Sequence, residues 1–221
     1  VETKIIILDQ QEIVYKIHYK RIKNCYLRVE KGEVVIRCSP LFPQSEIEKL
    51  IRNHQEEILE QIKGYVPKYN YQEDGYVYLF NQKYQIVLKD MNIKKCAIHD
   101  RQIYVYSKNI QATIEMFLKQ ELLNYLKERI DFYLSTSFHH VFPEIQIKKM
   151  KRRWGACFYQ KNRVCFNLVL AHIDYALIDY VIVHELCHFL EANHSKAFYH
   201  EIEKRMPDYK ERERLLKDVG I

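Results

Sequence analysis

Residues 184–194 read His-Glu-Leu-Cys-His-Phe-Leu-Glu-Ala-Asn-His, HELCHFLEANH, and the apolar run before them begins at Ala176. Placed on a helix from about Tyr175 to Leu190, Leu177, Val181, His184 and His188 fall within about 60° of one another. Imidazoles at i and i+4 stand side by side on one helical face, so both can turn a ring nitrogen toward one ion. Glu185 sits next to that face, where a carboxylate takes a proton from water rather than binding the metal. A hydrolytic metal centre needs a third protein ligand. His194 serves only if the helix stops, because six further helical residues would add a rise of about 9 Å. The spacing therefore predicts a bend after Leu190, with Asn193 as the residue suited to a left-handed or capping conformation. His200, Glu201 and Glu203 are rival third ligands, and Asp208 and Glu211 are more distant ones. A new amphipathic stretch, SKAFYHEIEKRM, follows His194 and ends at Pro207; DYKERERLLKDVG then forms a last helix closed by Gly220.

The opposite face of the 175–190 helix carries Asp179 with Ile182, Val183, Leu186 and Leu190. A carboxylate facing a core has to be paired. The run KKMKRR over 148–153 places five basic residues in six positions nearby, and Arg152 or Arg153 is the expected partner of Asp179, the alternative being a helix end rotated so that Asp179 is exposed. The alternative for the run is a solvated, charged strand edge that discourages association.

Upstream, KIIIL, IVYKIHY, CYLRVE and EVVIRC read as strands, with Lys31-Gly32 as a hairpin turn. SEIEKLIRNHQEEILEQI has the helical period from about Gln44, with Leu50, Ile51, Ile58 and Ile62 on its apolar face and Ser45 as a candidate cap. Strands return as YVYLF, YQIVLK, KKCAI and QIYVY. A long helix occupies roughly 111–132, STSFHHVFPE is a connection, and EIQIKKM, the segment through Gly155 and the apolar RVCFNLVL make a small sheet before the histidine helix. The order is α+β rather than doubly wound. The expected division is a β-rich part over 1–106, with one helix at about 45–63, and a core over 107–221.

The 221 residues are 48% hydrophobic and 29% charged with five Gly and five Pro, which excludes collagenous and disordered chains. The formal net charge of +6 is compatible with anionic partners without demanding them. No apolar stretch approaches the length of a membrane span. Cys25, Cys38, Cys96, Cys157, Cys165 and Cys187 form no CxxC pair and, with no signal segment visible, read as reduced thiols of a cytoplasmic protein.

Residues 150–216 resemble the YgjP-like metallopeptidases, relatives of the SprT-like and WLM-type zincins. The resemblance rests on Arg153-Trp154-Gly155, Asn167-Leu168, Asp179-Tyr180-Val181, HELCH, Asn193-His194-Ser195 with Phe198, and Pro207-Asp208-Tyr209. Ala156 replaces the family's usual serine and Cys187 its usual small residue within HExxH. The resemblance implies a zincin-like core holding one Zn²⁺ on His184, His188 and His194, with Glu185 as general base for peptide-bond hydrolysis by metal-activated water. Arg153, Asp179 and Asn193 are supporting residues in this reading, and Tyr199, His200 or Tyr209 would stabilise the oxyanion. RVCFNLVL would border the cleft and pair with an extended peptide or protein substrate. Two competing readings keep the metal: a phosphoanhydride or nucleotide hydrolase using the basic run, and a nucleic-acid-associated protease touching nucleic acid nonspecifically through 148–153.

Overall fold

Alternating apolar residues at the start of the chain build a four-stranded sheet of β1 (Glu2–Leu8), β2 (Gln11–Tyr19), β3 (Tyr26–Glu30) and β4 (Glu33–Cys38). In the computed structural model, which describes residues 1–30, 32–64 and 69–219, their order is β1-β2-β4-β3, with β2 and β4 parallel. One face of the sheet buries Ile6, Leu8, Tyr15, Ile17, Val34 and Ile36 against Ile47 and Ile51 of α1 (Gln44–Asn53) and Ile58 of α2 (Gln55–Gly64). Each such side chain contributes about 1.5–3 kcal/mol relative to exposure. The helix expected as one piece is two. His54 ends α1, with its N–H on the Ile51 carbonyl and Nδ1 on the Leu50 carbonyl. The N-cap is Pro43 without a side-chain bond, so Ser45 lies inside the first turn instead of capping it. Of the expected hairpin turn, Gly32 has φ 74° and Lys31 lies outside the described residues.

The chain divides into Val1–Pro67 and Lys68–Ile221, not at Tyr106. The second unit holds β5 (Tyr69–Asn70), β6 (Tyr76–Leu79), β7 (Gln82–Leu88), β8 (Lys95–His99) and β9 (Gln102–Tyr106) in the order β5-β6-β7-β9-β8. Val77, Leu79, Ile86, Cys96, Ile103 and Val105 of these strands share one core with Ile114, Leu118, Leu122, Leu126 and Ile130 of α3 (Ile110–Tyr133). Period-two alternation marks a buried strand face but not which helix covers it, and here the cover is α3.

A π-helical turn over Leu134–Phe138 follows α3, and then β10 (Glu144–Lys148), β11 (Gly155–Phe158) and β12 (Arg163–Asn167) form a sheet in the order β10-β12-β11. The long strand expected in RVCFNLVL stops at Asn167, and Leu168–His172 is a 3-10 helix. β12 is paired on both sides, so the edge strands of this sheet are β10 and β11. The helices α4 (Tyr175–Cys187), α5 (Lys196–Arg205) and α6 (Tyr209–Val219) complete the α+β unit. Gly220 lies outside the described residues. α4 is apolar on nearly every side, from Leu177 to Cys187, and packs against α3, α5, α6 and β11. Asp174 caps its start by accepting from the Ala176 N–H at 2.8 Å.

Candidate metal centre

α4 ends at Cys187, three residues before the expected Leu190. The N–H groups of Leu190 and Glu191 both donate to the Cys187 carbonyl, and Leu190 is 44% exposed, with no core to hold it on the helix. No residue from 188 to 195 has positive φ, so the bend is a run of tight turns and not a left-handed Asn193. The Asn193 carbonyl accepts from Ser195 N–H at 2.7 Å, and the Ser195 hydroxyl caps α5 by accepting from Phe198 N–H. This fold-back brings His194 beside the α4 pair.

The three histidines each offer a ring nitrogen, all within 4.8 Å of one another, and among the described residues they form the one such cluster. His184 and His194 approach Nε2 to Nε2 at 3.0 Å. Two ligands about 2.1 Å from a tetrahedral ion lie about 3.4 Å apart, so the spacing fits one ion of that size. His188 donates Nδ1–H to the Glu191 carbonyl at 3.2 Å, which leaves Nε2 with its lone pair free. Burial together with the neighbouring imidazoles pushes His184 down to about 3, and burial with His194 lowers His188. Both are therefore neutral donors at pH 7. The Phe198 ring, fully buried, lies under all three imidazoles at centroid distances of 5.0, 4.6 and 4.7 Å. His200, Glu201, Glu203, Asp208 and Glu211 are not in the cluster. Glu201 is paired with Lys204 and Arg205, and Asp208 with Arg212.

Glu185 is buried beside the cluster. Burial raises its carboxyl to about 8, against the lowering effects of the Cys157 backbone N–H and the Arg153 charge. Gly155 is the wall behind it: a Cβ there would stand 2.5 Å from Glu185 Oε1 and 2.7 Å from Cγ. A glycine next to a strand can mark such a close approach, and that was the signal in sequence by which Gly155 could have been found.

A cavity of about 600 Å³ opens over His184, Glu185, His188 and His194. Gly155, Ala156 and Cys157 of β11 form one side, Tyr180 and Val181 another, and Leu216 and Lys217 of α6 a third, with Arg153 and Trp154 also in the wall. Tyr199, His200 and Tyr209 are absent from this lining, whereas Tyr159 and Tyr180 are in it.

Asp179 is buried as expected but by other partners. Arg129 of α3 donates Nε–H to Oδ1 at 3.1 Å and Nη2–H to Oδ2 at 2.8 Å, and Tyr125 and Tyr133 donate their hydroxyls at 2.8 and 3.1 Å. Neither Arg152 nor Arg153 reaches it. A partner on a helix 50 residues away leaves no local trace in sequence, while the nearby basic run does. The network ties α4 to α3 behind the histidines.

The family model for the YgjP-like metallopeptidase domain matches residues 23–219. The chain belongs to the YgjP-like metallopeptidase family. It is thus a metallopeptidase, and the family implies a bound metal ion. No curated protein matches the chain. Among solved structures, the zymogen of the metallopeptidase abylysin from Pyrococcus abyssi is 17% identical, covering 42% of this chain and 94% of its own at a TM-score of 0.39. The zymogen of jannalysin from Methanocaldococcus jannaschii is 25% identical, covering 43% of this chain and 90% of its own at 0.40. No helix among the described residues is long and apolar enough to cross a membrane.

Proposed function

We propose that this YgjP-like chain is a zinc-dependent endopeptidase, with one zinc ion held by His184, His188 and His194 and with Glu185 as general base. The observation that carries the reading is the convergence of three imidazole nitrogens within 4.8 Å in the cavity that also holds the Glu185 carboxylate. Bound there, zinc would polarise the scissile carbonyl and make water a nucleophile near neutral pH. Glu185, held from behind by Gly155 and by the Cys157 N–H, is the group that would take a proton from the attacking water and pass it to the leaving amine. His184, pushed by burial down to about 3, and His188, lowered by its burial, favour the neutral form whose lone pair a metal needs. Among the described residues β11 pairs only with β12, so its outer edge, apart from the Cys157 N–H held by Glu185, supports binding of an extended peptide as an added strand beside the cavity it lines. Asn193 supports the site through its carbonyl in the turn before α5. The six free cysteines favour a reducing compartment, the cytoplasm.

A second reading, hydrolysis of phosphoanhydrides, draws on Arg153 and Lys217 in the cavity wall. One experiment separates the two. The chain is stripped with a chelator, reconstituted with zinc, and given a peptide library and a nucleotide panel, as wild type and as Glu185→Gln. The peptidase reading expects peptide cleavage that returns with zinc, and a glutamine variant that keeps zinc and loses cleavage. Nucleotide hydrolysis without peptide cleavage would replace it.

A further inference from the structure

Arg153 is the cation expected to neutralise Asp179, and the structure gives that task to Arg129. Among the described residues the Arg153 guanidinium makes no hydrogen bond or ion pair, although it lines the cavity within reach of the site. Its backbone, by contrast, is firmly held. The buried Asn167 side chain donates Nδ2–H to the carbonyls of Met150 and Arg153, both at 2.8 Å, and accepts from Met150 N–H at 3.2 Å. Asn167 N–H completes the clamp on the Trp154 carbonyl at 2.8 Å. The loop between β10 and β11 is therefore built in one shape, and that shape presents at the cavity wall, just before the strand edge, a guanidinium that acts on Glu185 only through its charge and has its hydrogen-bond donors open. Of the other charged residues in the wall, Lys217 pairs with Glu213 at 3.2 Å and Glu185 is the buried carboxyl of the site. Lys151 and Arg152, exposed and without ion pairs among the described residues, add to the positive field outside.

We infer that Arg153, positioned by the Asn167 clamp, is a specificity residue that binds a carboxylate of the substrate peptide next to the scissile bond. A planar guanidinium with a free fork suits a carboxylate held in two parallel hydrogen bonds. The apolar remainder of the wall, Trp154, Tyr180, Val181 and Leu216, suits a peptide side chain better than the highly charged backbone of a nucleic acid, which would need several phosphate contacts. The carboxylate is supplied either by an acidic side chain or by the end of the substrate chain. The inference rests on the peptidase reading.

Trp154, the one tryptophan of the chain, sits in the cavity wall beside Arg153 and reports binding through its fluorescence. The zinc-loaded Glu185→Gln chain is titrated with amidated alanine-based hexapeptides carrying one glutamate or one glutamine, and with the glutamine peptide bearing a free terminal carboxylate. One charge-assisted contact predicts about tenfold tighter binding of a carboxylate peptide. Preference for the internal glutamate or for the free terminus identifies the source. Adding Arg153→Gln brings the ratio to about one, and Arg153→Glu turns the preference toward a lysine peptide. Equal affinities in the parent chain, a ratio unchanged by Arg153→Gln, or displacement of the peptide by a tighter-binding single-stranded oligothymidylate overturn the inference. Binding is read without turnover, so the two readings fail separately. A chain that cleaves peptides regardless of charge sinks the carboxylate site alone, and one that binds carboxylates through Arg153 but cleaves no peptide sinks the peptidase reading alone.

Discussion

Replacing Asp179 by alanine removes the acceptor shared by Arg129, Tyr125 and Tyr133 and leaves a guanidinium facing an apolar core. Breaking a fully buried ion pair from one side costs about 3–5 kcal/mol. Here the Arg129 side chain keeps 26% of its exposure and Asp179 13%, so water relieves part of the loss. The expected cost is about 2–4 kcal/mol. For a unit of this size that lowers Tm by roughly 5–12 °C. The chain has two units, and a whole-chain melt need not be two-state. Trp154 lies in the second unit, so its fluorescence during heating reports the right transition. Adding Arg129→Met to Asp179→Ala restores part of the stability, because an apolar pair of similar volume leaves no buried charge alone. Arg152→Ala and Arg153→Ala leave this transition where it is. A Tm for Asp179→Ala within about 1 °C of wild type would refute the assignment of this network as the strut behind the site.

Three further outcomes follow from the same geometry. Gly155→Ala pushes the Glu185 carboxylate out of place, since the new Cβ would meet Oε1 at 2.5 Å; steady-state kinetics should show a loss of about 100-fold or more with zinc retained, and a near wild-type rate contradicts the wall. Phe198→Ala empties the space beneath three imidazoles and is expected to cost about 3–5 kcal/mol and to weaken zinc binding, both measurable in chelator-competition and urea titrations; unaltered zinc affinity would mean the ring does not support the ligands. Lys204 first and Arg205 next hold Glu201 down to about 2 against 4.5 in the unfolded chain. A depressed carboxyl contributes stability that is fully present above about 4.5 and lost as pH falls toward 2. Glu201→Gln should therefore flatten the stability profile in that window, and identical wild-type and variant profiles there would count against the pairing.

What sequence could convey depended on whether the deciding contact was local. The i, i+4 histidines and the need for a fold-back before His194 follow from helical geometry alone, and the α4–α5 turn supplies that fold-back. How the turn is made did not follow: Asn193 is the residue best able to adopt a left-handed backbone, but the chain bends through hydrogen bonds to Leu186 and Cys187 without one. The strands from Tyr76 to Tyr106 were legible as strands, yet their membership in the α3 core was not, because alternation is silent about the covering layer. Asp179 was legible as buried, and its partner Arg129 was hidden by distance along the chain. Asn167 was legible only as part of the family resemblance: its residue type gives no hint that it holds the loop 150–154 by four hydrogen bonds.

The account turns on three histidines acting together on one ion, and zinc K-edge absorption tests that directly. The Glu185→Gln chain loaded with one equivalent of zinc is predicted to show three imidazole nitrogens at about 2.0–2.1 Å and an open position taken by a light atom. His194→Ala is predicted to lose one of the three. A spectrum unchanged by His194→Ala, or one fitted by carboxylate oxygens in place of imidazoles, would contradict the centre as described.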